Sequence, residues 1–274
     1  MSESPKQPLA ANPARLELDH VTVGYNGRAA LQDITFDVPH GAQVAVVGPN
    51  GAGKSTLFKV LVGLLPVRSG QIRIHGQPLG HHHDCVAYLP QREEVDWRFP
   101  VTVWDVVMMG RYGRAGWLRR PSVNDRAAVL RALEQLNIKA IARSPIGELS
   151  GGQQQRAFLA RALAQEPHIL LMDEPFTGVD SATQEATLHL LDDLRQAGVT
   201  TLVSTHDLKL AAERFERTLL LNHRLIAYGP SEQVFTHQHI AEAFGGQLLS
   251  LGGSAEIVVD QCCPHEHDEE HTHA

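Results

Sequence analysis

The chain has 274 residues, of which 43% are hydrophobic, and its formal net charge at pH 7 is −7. The length suits one generous domain, and the negative charge argues against general nucleic-acid binding. No apolar run approaches the roughly 18–20 residues that cross a bilayer, and the three cysteines are too poorly spaced for a disulfide framework. Because the first residues also lack the apolar segment of a secretion signal, we expect a cytosolic protein that reaches a membrane only through a partner.

In chain order, the apolar pattern predicts an α/β domain that follows a flexible N-terminus of residues 1–15. Strands are predicted at residues 16–23, 30–38, 43–47, 71–75 and 85–89. Residues 93 to about 165 are predicted to form a helical insertion, and from residue 169 strands and helices alternate again. This order is typical of a parallel sheet covered by helices, and residues 246–274 are predicted to form a separate C-terminal extension.

The strongest motif is a glycine-rich run that fits the phosphate-loop pattern of Gly, four residues and Gly-Lys-Ser/Thr. It comprises Gly48, Pro49, Asn50, Gly51, Ala52, Gly53, Lys54, Ser55 and Thr56, between a predicted strand and a predicted helix. Glycines let the backbone wrap closely round a polyphosphate, and the helix N-terminus adds partial positive charge. Lys54 can reach the β- and γ-phosphates and the Ser55 hydroxyl can hold Mg²⁺, so the run predicts nucleotide binding.

Two acidic residues, Asp173 and Glu174, follow a run of four apolar residues that predicts a buried strand. Ligands of open α/β sheets bind at the carboxyl ends of the strands. Asp173 is therefore predicted to bind Mg²⁺, directly or through water, and Glu174 to accept a proton from an attacking water. The predicted strand at residues 201–205 delivers His206 to the same edge, where it can contact the γ-phosphate, although a structural role for it is the alternative.

A second anion-binding device is predicted where Ser150, Gly151, Gly152 and Gln153 begin a helix. It offers a hydroxyl and free backbone N–H groups. One nucleotide does not need two complete phosphate cradles within one chain. We therefore infer that this second cradle serves a nucleotide held by another copy of the chain.

In order and spacing, these motifs resemble those of the ATP-binding-cassette (ABC) ATPases, from about residue 16 to residue 245. The resemblance implies a P-loop NTPase cassette with a parallel-sheet core, an antiparallel β subdomain and an inserted helical subdomain. It implies ATP and Mg²⁺ as ligands and ATP hydrolysis as the activity. By position, the family's roles fall on Tyr25 (adenine stacking), Gln91 (catalytic Q-loop), residues 48–56 (Walker A), residues 150–153 (signature), Asp173 (Walker B), Glu174 (catalytic carboxylate), Asp180 (D-loop) and His206 (switch). Mg²⁺ would be held by Ser55, Gln91 and Asp173.

The same resemblance implies partners. Two cassettes would form a homodimer around two ATP molecules, each held between the phosphate loop of one copy and the signature of the other. A single cassette without membrane spans implies an integral-membrane permease and an extracytoplasmic metal-binding protein, so we expect peripheral attachment to the cytoplasmic face of the inner membrane. Residues 89–103, 109–112 and 174–180 resemble the branch that imports manganese, zinc or iron.

Three other functions are compatible with parts of the sequence. A cassette of an iron-chelate, haem or vitamin importer has similar motifs. A soluble ABC ATPase of DNA repair or translation usually carries long coiled coils, zinc hooks or two cassettes, which this chain lacks in its sequence. A nucleotide-binding regulator without hydrolysis is disfavoured because Glu174 and His206 are both present.

The middle of the chain concentrates arginines and tryptophans. They are Arg92, Arg98, Arg111, Arg114, Arg119, Arg120, Arg126, Trp97, Trp104 and Trp117. The arginines indicate either a solvated helical face or a surface that meets a partner or anionic lipid headgroups. The aromatic residues favour a contact with the permease, since aromatics and arginine are enriched at interfaces, and for Trp104 a place in the subdomain core is the alternative.

The C-terminal extension carries its own metal-binding chemistry. Its potential ligands are Cys262, Cys263, His265, His267, His271 and His273, interspersed with acidic residues. Thiolates and imidazoles suit Zn²⁺, and a softer site also takes Cu⁺. A tail zinc site and a solvated tail with no binding role both stay open, and the run His81-His82-His83 is expected to be a solvated turn that binds metal weakly at most.

If the tail senses cytosolic metal, deletion of residues 262–274 should leave the basal ATPase rate intact and change its dependence on added metal, because the predicted nucleotide site lies elsewhere in the chain. The measurement is the ATPase rate of the intact and shortened chains across a zinc titration. An unchanged metal response would defeat the sensing hypothesis.

Overall fold

The computed structural model of the protein describes residues 16–25, 28–80, 85–91, 100–115 and 120–245. Several predictions from the sequence lie outside these residues. They concern residues 1–15 and 246–274 with the six tail ligands, His81 to His83, Arg92, Arg98, Arg119, Trp97 and Trp117. Within the described part of the chain, every helix is too short or too polar to span a bilayer.

The described residues form ten strands and nine α-helices. The strands are β1 (Leu16–Tyr25), β2 (Arg28–Val38), β3 (Gln43–Val47), β4 (Ser69–Ile74), β5 (Gln77–Pro78), β6 (Val86–Leu89), β7 (Ile169–Met172), β8 (Thr200–Thr205), β9 (Arg217–Asn222) and β10 (Arg224–Pro230). The helices are α1 (Lys54–Leu61), α2 (Val103–Met109), α3 (Tyr112–Ala115), α4 (Val123–Gln135), α5 (Gly151–Ala164), α6 (Ser181–Gln196), α7 (Leu208–Arg214), α8 (Ser231–Val234) and α9 (His237–Phe244).

The larger sheet has six strands in the order β10-β9-β3-β8-β7-β6, and all neighbours except β10 and β9 are parallel. Parallel strands are buried on both faces, which explains their unbroken apolar sequences. In β3, Ala45 and Val47 pack against the helices on one side, whereas Val44 and Val46 face the core on the other. The sequence pattern of alternating strands and helices does not hold at the end of the sheet, because β9 turns directly into β10 at His223, whose φ is 55°.

The smaller sheet is antiparallel, with the order β2-β1-β4-β5, and it confirms the predicted antiparallel subdomain. Helix α1 lies in the core between the two sheets, where Leu57 and Phe58 are completely buried. The amide of Gln32 in β2 donates to the carbonyl of His223 at 2.7 Å, so the small sheet is also joined to the β9–β10 turn. Both sheets therefore contribute to fixing the position of α1.

Helices α2 to α5 all lie in the chain between β6 and β7, as expected of an inserted helical subdomain. Helices α2, α4 and α5 share one apolar core with one face of the large sheet. Trp104 is partly buried and packs against that core, and its amide donates to the carbonyl of Ala142 at 2.8 Å. Of the two roles left open for Trp104, this placement favours the core.

Arg111 does not lie on the charged surface that its sequence neighbours indicated. It is 6% exposed, and its guanidinium donates to Asp125 at 2.9 Å, to the carbonyl of Ala164 at 2.8 Å and to Glu166 at 2.9 Å. The hydroxyl and amide of Ser122, and then Arg111, lower the pKa of Asp125 to about 2. The arginine therefore ties α4 to the end of α5, whereas Arg120 and Arg126 are exposed as expected.

Replacing Arg111 with Ala should lower the free energy of unfolding by about 3 kcal/mol, because the buried carboxylate of Asp125 would lose its ion-pair partner. Asp125 keeps its hydrogen bonds from Ser122, so the loss should be at the low end of the range for broken buried pairs. Urea denaturation measures the change.

The control is Arg126→Ala on α4, next to Asp125, which should change the free energy of unfolding by less than about 0.5 kcal/mol, since that residue is exposed. A group whose folded pKa is depressed stabilises the fold above its unfolded pKa of about 3.9, and that contribution is lost as pH falls toward about 2. The Arg111→Ala deficit should therefore shrink over this pH range, and a constant deficit would contradict the ion-pair explanation.

Candidate active site

Four neighbouring parallel strands, β3, β8, β7 and β6, bring the predicted site residues to one edge of the large sheet. The phosphate loop follows β3, His206 follows β8, Asp173 follows β7 and Gln91 lies two residues after β6. Pairing of Leu89 with Met172 and of Met172 with Val203 sets the strand ends nearly level. Residues that are far apart in the sequence thus converge at the carboxyl edge, where α/β sheets bind ligands.

The phosphate loop is held against the rest of the domain at two points. A Cβ on Gly48 would lie 2.0 Å from the carbonyl oxygen of Leu221 in β9, so only glycine fits there. The carbonyl of Ala52 accepts from the amide of His223 at 2.9 Å. Gly53 has a φ of 100° and caps α1, so a side chain there would be strained in its backbone. These contacts fix the backbone conformation of the phosphate loop.

Lys54 lies at the first position of α1 and is buried. Its ammonium donates to the carbonyls of Gly48 at 2.7 Å and Pro49 at 3.1 Å. Burial lowers the pKa of Lys54, and the nearby charges of Glu174 and Asp173 oppose that shift. The Lys54 ammonium thus lies within electrostatic reach of both carboxylates and is hydrogen-bonded to the start of the phosphate loop.

Asp173 is almost completely buried, at 1% exposure, and is held by two hydroxyl groups. Ser204 at the end of β8 donates to one carboxylate oxygen at 2.6 Å, and Tyr88 in β6 donates to the other at 3.3 Å. Strands on both sides of β7 therefore fix the orientation of this carboxylate.

Glu174 adopts a left-handed backbone conformation, with a φ of 47°. The hydroxyl of Ser204 accepts its amide hydrogen at 2.8 Å, and Thr177 donates to its carboxylate at 3.2 Å. One carboxylate oxygen lies 3.7 Å from Nδ1 of His206, whose side chain is 64% exposed. Glu174 and His206 thus face each other at the open edge, and the hydroxyl of Ser204 joins both acidic residues.

The segment predicted as the signature begins α5 as expected. Ser150 and Gln153 cap the helix reciprocally, with the Ser150 amide donating to Gln153 at 3.0 Å. A Cβ on Gly152 would lie 2.9 Å from the hydroxyl of Thr183, so the signature lies against the start of α6. There Asp180 caps α6, and its hydrogen bonds from Thr183 lower its pKa.

A further contact joins the signature helix to the carboxylates. Gln155 in α5 donates from its amide nitrogen to the carbonyl of Pro175, the residue after Glu174. The helix therefore lies directly against the loop that positions Glu174.

The remaining predicted residues are placed in ways that suit their predicted roles. Tyr25 ends β1 with 47% of its surface exposed, so its ring is open to a planar base. Ser55 in α1 and Gln91 after β6 are half-buried. Together with Asp173 they offer a hydroxyl, an amide and a carboxylate oxygen, and Mg²⁺ prefers such hard oxygen donors. The donor set therefore fits the predicted Mg²⁺.

The sequence alone did not identify Ser204, Tyr88 or Thr177 as site residues. Ser204 and Tyr88 contact Asp173 from the two neighbouring strands. Identifying them requires the strand order and register, which the local sequence does not give. Thr177 follows Glu174 within a tight turn, in which its amide donates to the carbonyl of Glu174 at 3.3 Å.

Comparison with known proteins identifies relatives that are ATP-binding or other components of metal transport systems. The family model for the ABC transporter matches residues 31–177. The zinc transport system ATP-binding protein TroB of Treponema pallidum is 47% identical, with 88% of this chain and 91% of that protein covered. The manganese transport system ATP-binding protein MntB of Bacillus subtilis is 49% identical, with 86% and 94% covered. The chelated iron transport system protein YfeB of Yersinia pestis is 46% identical, with 90% and 85% covered.

Solved structures agree with this fold. An inward-facing transporter assigned to the metal-chelate type of ABC transporter has a TM-score of 0.75 at 30% identity, covering 85% of this chain and 89% of that one. A dimeric, post-hydrolysis ATP-binding cassette bound to ADP and phosphate has a TM-score of 0.69 at 26% identity, covering 79% and 98%. Because the family match spans more than half of the chain and the relatives align along most of their length, the protein belongs to the ABC transporter family.

Proposed function

We propose that the protein is the ATP-hydrolysing subunit of a binding-protein-dependent importer of manganese, zinc or iron. The observation that carries the proposal is the placement of two carboxylates, the buried Asp173 and the mostly buried Glu174, within electrostatic reach of Lys54 in a formed phosphate loop. Relatives that act in zinc, manganese and chelated-iron transport systems support the cargo class.

In the proposed reaction, backbone N–H groups of residues 48–56 and the Lys54 ammonium bind the β- and γ-phosphates. Phosphate oxygens would replace the carbonyls of Gly48 and Pro49 as acceptors of the ammonium hydrogens. Tyr25 stacks on the adenine ring. Mg²⁺, when bound with the nucleotide, would neutralise phosphate charge, and Ser55, Gln91 and Asp173 are the residues that would hold it.

Glu174 is the proposed general base. Its carboxylate is mostly buried but lies at the open edge, so it can accept a proton from a water aligned with the γ-phosphate. His206, 3.7 Å away, orients that carboxylate and reaches toward the γ-phosphate. Ser204 fixes the backbone of Glu174 and the carboxylate of Asp173 at the same time, so it is a positioning residue for both.

A homodimer completes each site in this proposal. The capped N-terminus of α5 presents Ser150 and the amides of Gly151 and Gly152, a device that suits a phosphate of the opposing copy. A solved dimer of a similar cassette supports the arrangement. ATP would hold the copies together through its γ-phosphate, and hydrolysis would release them.

The proposed partners are an integral-membrane permease and an extracytoplasmic metal-binding protein, with the cassette attached peripherally at the cytoplasmic face of the inner membrane. The helical insertion is the proposed contact with the permease. Met109 and Tyr112 in this region are large apolar side chains left 38% and 43% exposed, which supports a partner there. The boundaries of the insertion, about residues 93–165, stay a prediction.

An importer of an iron chelate, haem or a vitamin is the second candidate. The solved transporter of the metal-chelate type favours it, but at 30% identity, against 46–49% for the three metal-transport relatives. The cargo-binding residues are expected in the permease and the extracytoplasmic protein, so metal measurements in cells decide between the two.

The deciding experiment compares the manganese, zinc and iron content of cells with and without this gene, grown with each metal limiting. We expect a selective fall in one metal, restored by the intact gene but not by Glu174→Gln, because transport needs hydrolysis. Unchanged contents of all three metals would contradict metal import and favour a vitamin cargo, because an iron chelate or haem also delivers iron.

The matched control is the purified Glu174→Gln protein, which should bind ATP with nearly normal affinity and hydrolyse it very slowly. Lys54→Ala should instead lose ATP affinity, because its ammonium is the proposed phosphate ligand. If Glu174→Gln lost affinity to the same extent as Lys54→Ala, the role of Glu174 as general base would be wrong.

Ser204→Ala should reduce the rate of ATP hydrolysis by about 10- to 100-fold while largely sparing ATP affinity. The variant removes a hydrogen bond to a buried carboxylate, and such bonds contribute about 1.5–3 kcal/mol, or roughly a factor of ten per 1.4 kcal/mol. Steady-state ATPase rates and nucleotide titration measure the two effects separately.

Thr201→Val is the control for Ser204→Ala. Thr201 lies on the same strand and is equally buried, but its hydroxyl has no hydrogen-bond partner among the described residues. The control should retain the wild-type rate. Equal losses in both variants would mean that disruption of β8, and not positioning of the carboxylates, explains the effect.

A further inference from the structure

Three side chains with metal-binding chemistry meet at the amino-terminal edge of the large sheet, opposite the candidate active site. His75 lies in the turn between β4 and β5, Cys85 directly precedes β6, and His168 directly precedes β7. The amide of His168 donates to the carbonyl of Cys85 at 2.8 Å, so the two backbones are neighbours across β6 and β7. The strand pairing therefore fixes two of the three residues relative to each other.

The ligand atoms of these residues are close enough to share one ion. One ring nitrogen from each histidine and the Cys85 sulfur all lie within 4.8 Å of one another, and Nε2 of His75 is 3.1 Å from Nδ1 of His168. Zn–N bonds of about 2.05 Å and Zn–S bonds of about 2.3 Å in a tetrahedron imply separations of about 3.3 Å between nitrogens and about 3.6 Å between nitrogen and sulfur. Small side-chain rotations reach this geometry.

A hydrogen bond between the two imidazoles is the alternative explanation of the 3.1 Å distance. The rings are nearly perpendicular, with an interplanar angle of 86°. Such a bond uses one nitrogen as donor and the other as acceptor, and it does not require a thiol. Cys85 is 6% exposed and packs in the apolar core, and its sulfur beside both rings supplies a third ligand atom that a bond between the imidazoles does not use.

We propose that His75, Cys85 and His168 form a binding site for a divalent zinc ion, with water at the fourth position. Two imidazoles and a thiolate are ligands that borderline-soft Zn²⁺ prefers, whereas Mn²⁺ prefers carboxylate and carbonyl oxygens. His168 is exposed, so the proposed site is open to solvent on the side of this residue.

The site would add a direct link between the small sheet and the starts of two strands of the large sheet. His75 belongs to the small sheet, whereas Cys85 and His168 stand at the starts of β6 and β7 in the large sheet. The far ends of those two strands lead to Gln91 and to Asp173. A zinc ion here would therefore clamp the small sheet to the two strands that carry Mg²⁺-binding residues of the proposed active site.

The test uses cobalt as a spectroscopic substitute for zinc in the full-length chain. Replacing Cys262 and Cys263 with Ser leaves Cys85 as the one thiol of the three cysteines in the sequence. Sulfur-to-cobalt charge-transfer absorption on titration with Co²⁺ then reports Cys85 alone, whatever the tail histidines bind. We expect absorption that saturates as Co²⁺ is added, is displaced by Zn²⁺ and is lost in Cys85→Ser.

The histidine variants are designed to keep the fold. His75 has a φ of 52° in a two-residue turn that it forms with Gly76, and Asn-Gly is the favoured pair in such turns, so His75→Asn keeps the turn and removes the imidazole. His75→Asn and His168→Gln should each weaken cobalt binding by at least about 100-fold, since even the loss of an outer-shell partner costs 10- to 100-fold. His189→Ala, an exposed histidine on α6, is the control and should bind normally.

Absence of the charge-transfer absorption in the parent chain would overturn the proposal, as would absorption that survives both histidine substitutions. Circular dichroism of each variant confirms that the fold is retained. ATP hydrolysis is not part of the measurement, so the result does not depend on the proposed transport function.

Discussion

The pairing register of the large sheet governs the candidate site. The buried strands β3, β7 and β8 carry core residues along their length and lead directly into the phosphate loop, the two carboxylates and His206. In β7 the residues alternate between the two cores, with Leu171 on one side and Met172 on the other. A slip of one residue would exchange these faces and would also separate Asp173 from Ser204 on the neighbouring strand. Apolar burial therefore fixes the positions of the two carboxylates far more firmly than their own hydrogen bonds could.

The backbone is strained at the point where β7 ends and the site begins. A left-handed conformation at a residue other than glycine costs about 1 kcal/mol or more, and Glu174 adopts it immediately after β7. The hydroxyl of Ser204, which accepts the Glu174 amide hydrogen, offsets part of that cost and turns the carboxylate toward His206. The phosphate loop follows the same rule, since its close approach to Leu221 requires Gly48. In both cases contacts from a neighbouring strand hold the backbone in the shape that the chemistry needs.

Contiguous motifs could be predicted from the sequence, and contacts between distant residues could not. The phosphate loop and Glu174 were identifiable because strand, loop and acidic residues are adjacent in the chain. Ser204 required knowledge of which strand pairs with β7. Arg111 was placed on the surface because its sequence neighbours are charged, whereas its partners Asp125 and Glu166 lie 14 and 55 residues away. Nothing in the spacing of His75 and His168, which are 93 residues apart, indicated a shared site.

The sheet separates two kinds of metal chemistry at its two edges. At the carboxyl edge, hydroxyl, amide and carboxylate oxygens suit the hard Mg²⁺ that accompanies a nucleotide. At the amino edge, nitrogen and sulfur donors suit a softer ion, and the same two strands, β6 and β7, run from one edge to the other. Because Mg²⁺ prefers hard oxygen ligands, ordinary cellular Mg²⁺ would not compete for the cysteine. The strands that join the two edges are buried on both faces, and close packing leaves them little room to shift. A zinc ion at the amino edge is therefore expected to stabilise the arrangement already present at the carboxyl edge, and not to create a new one.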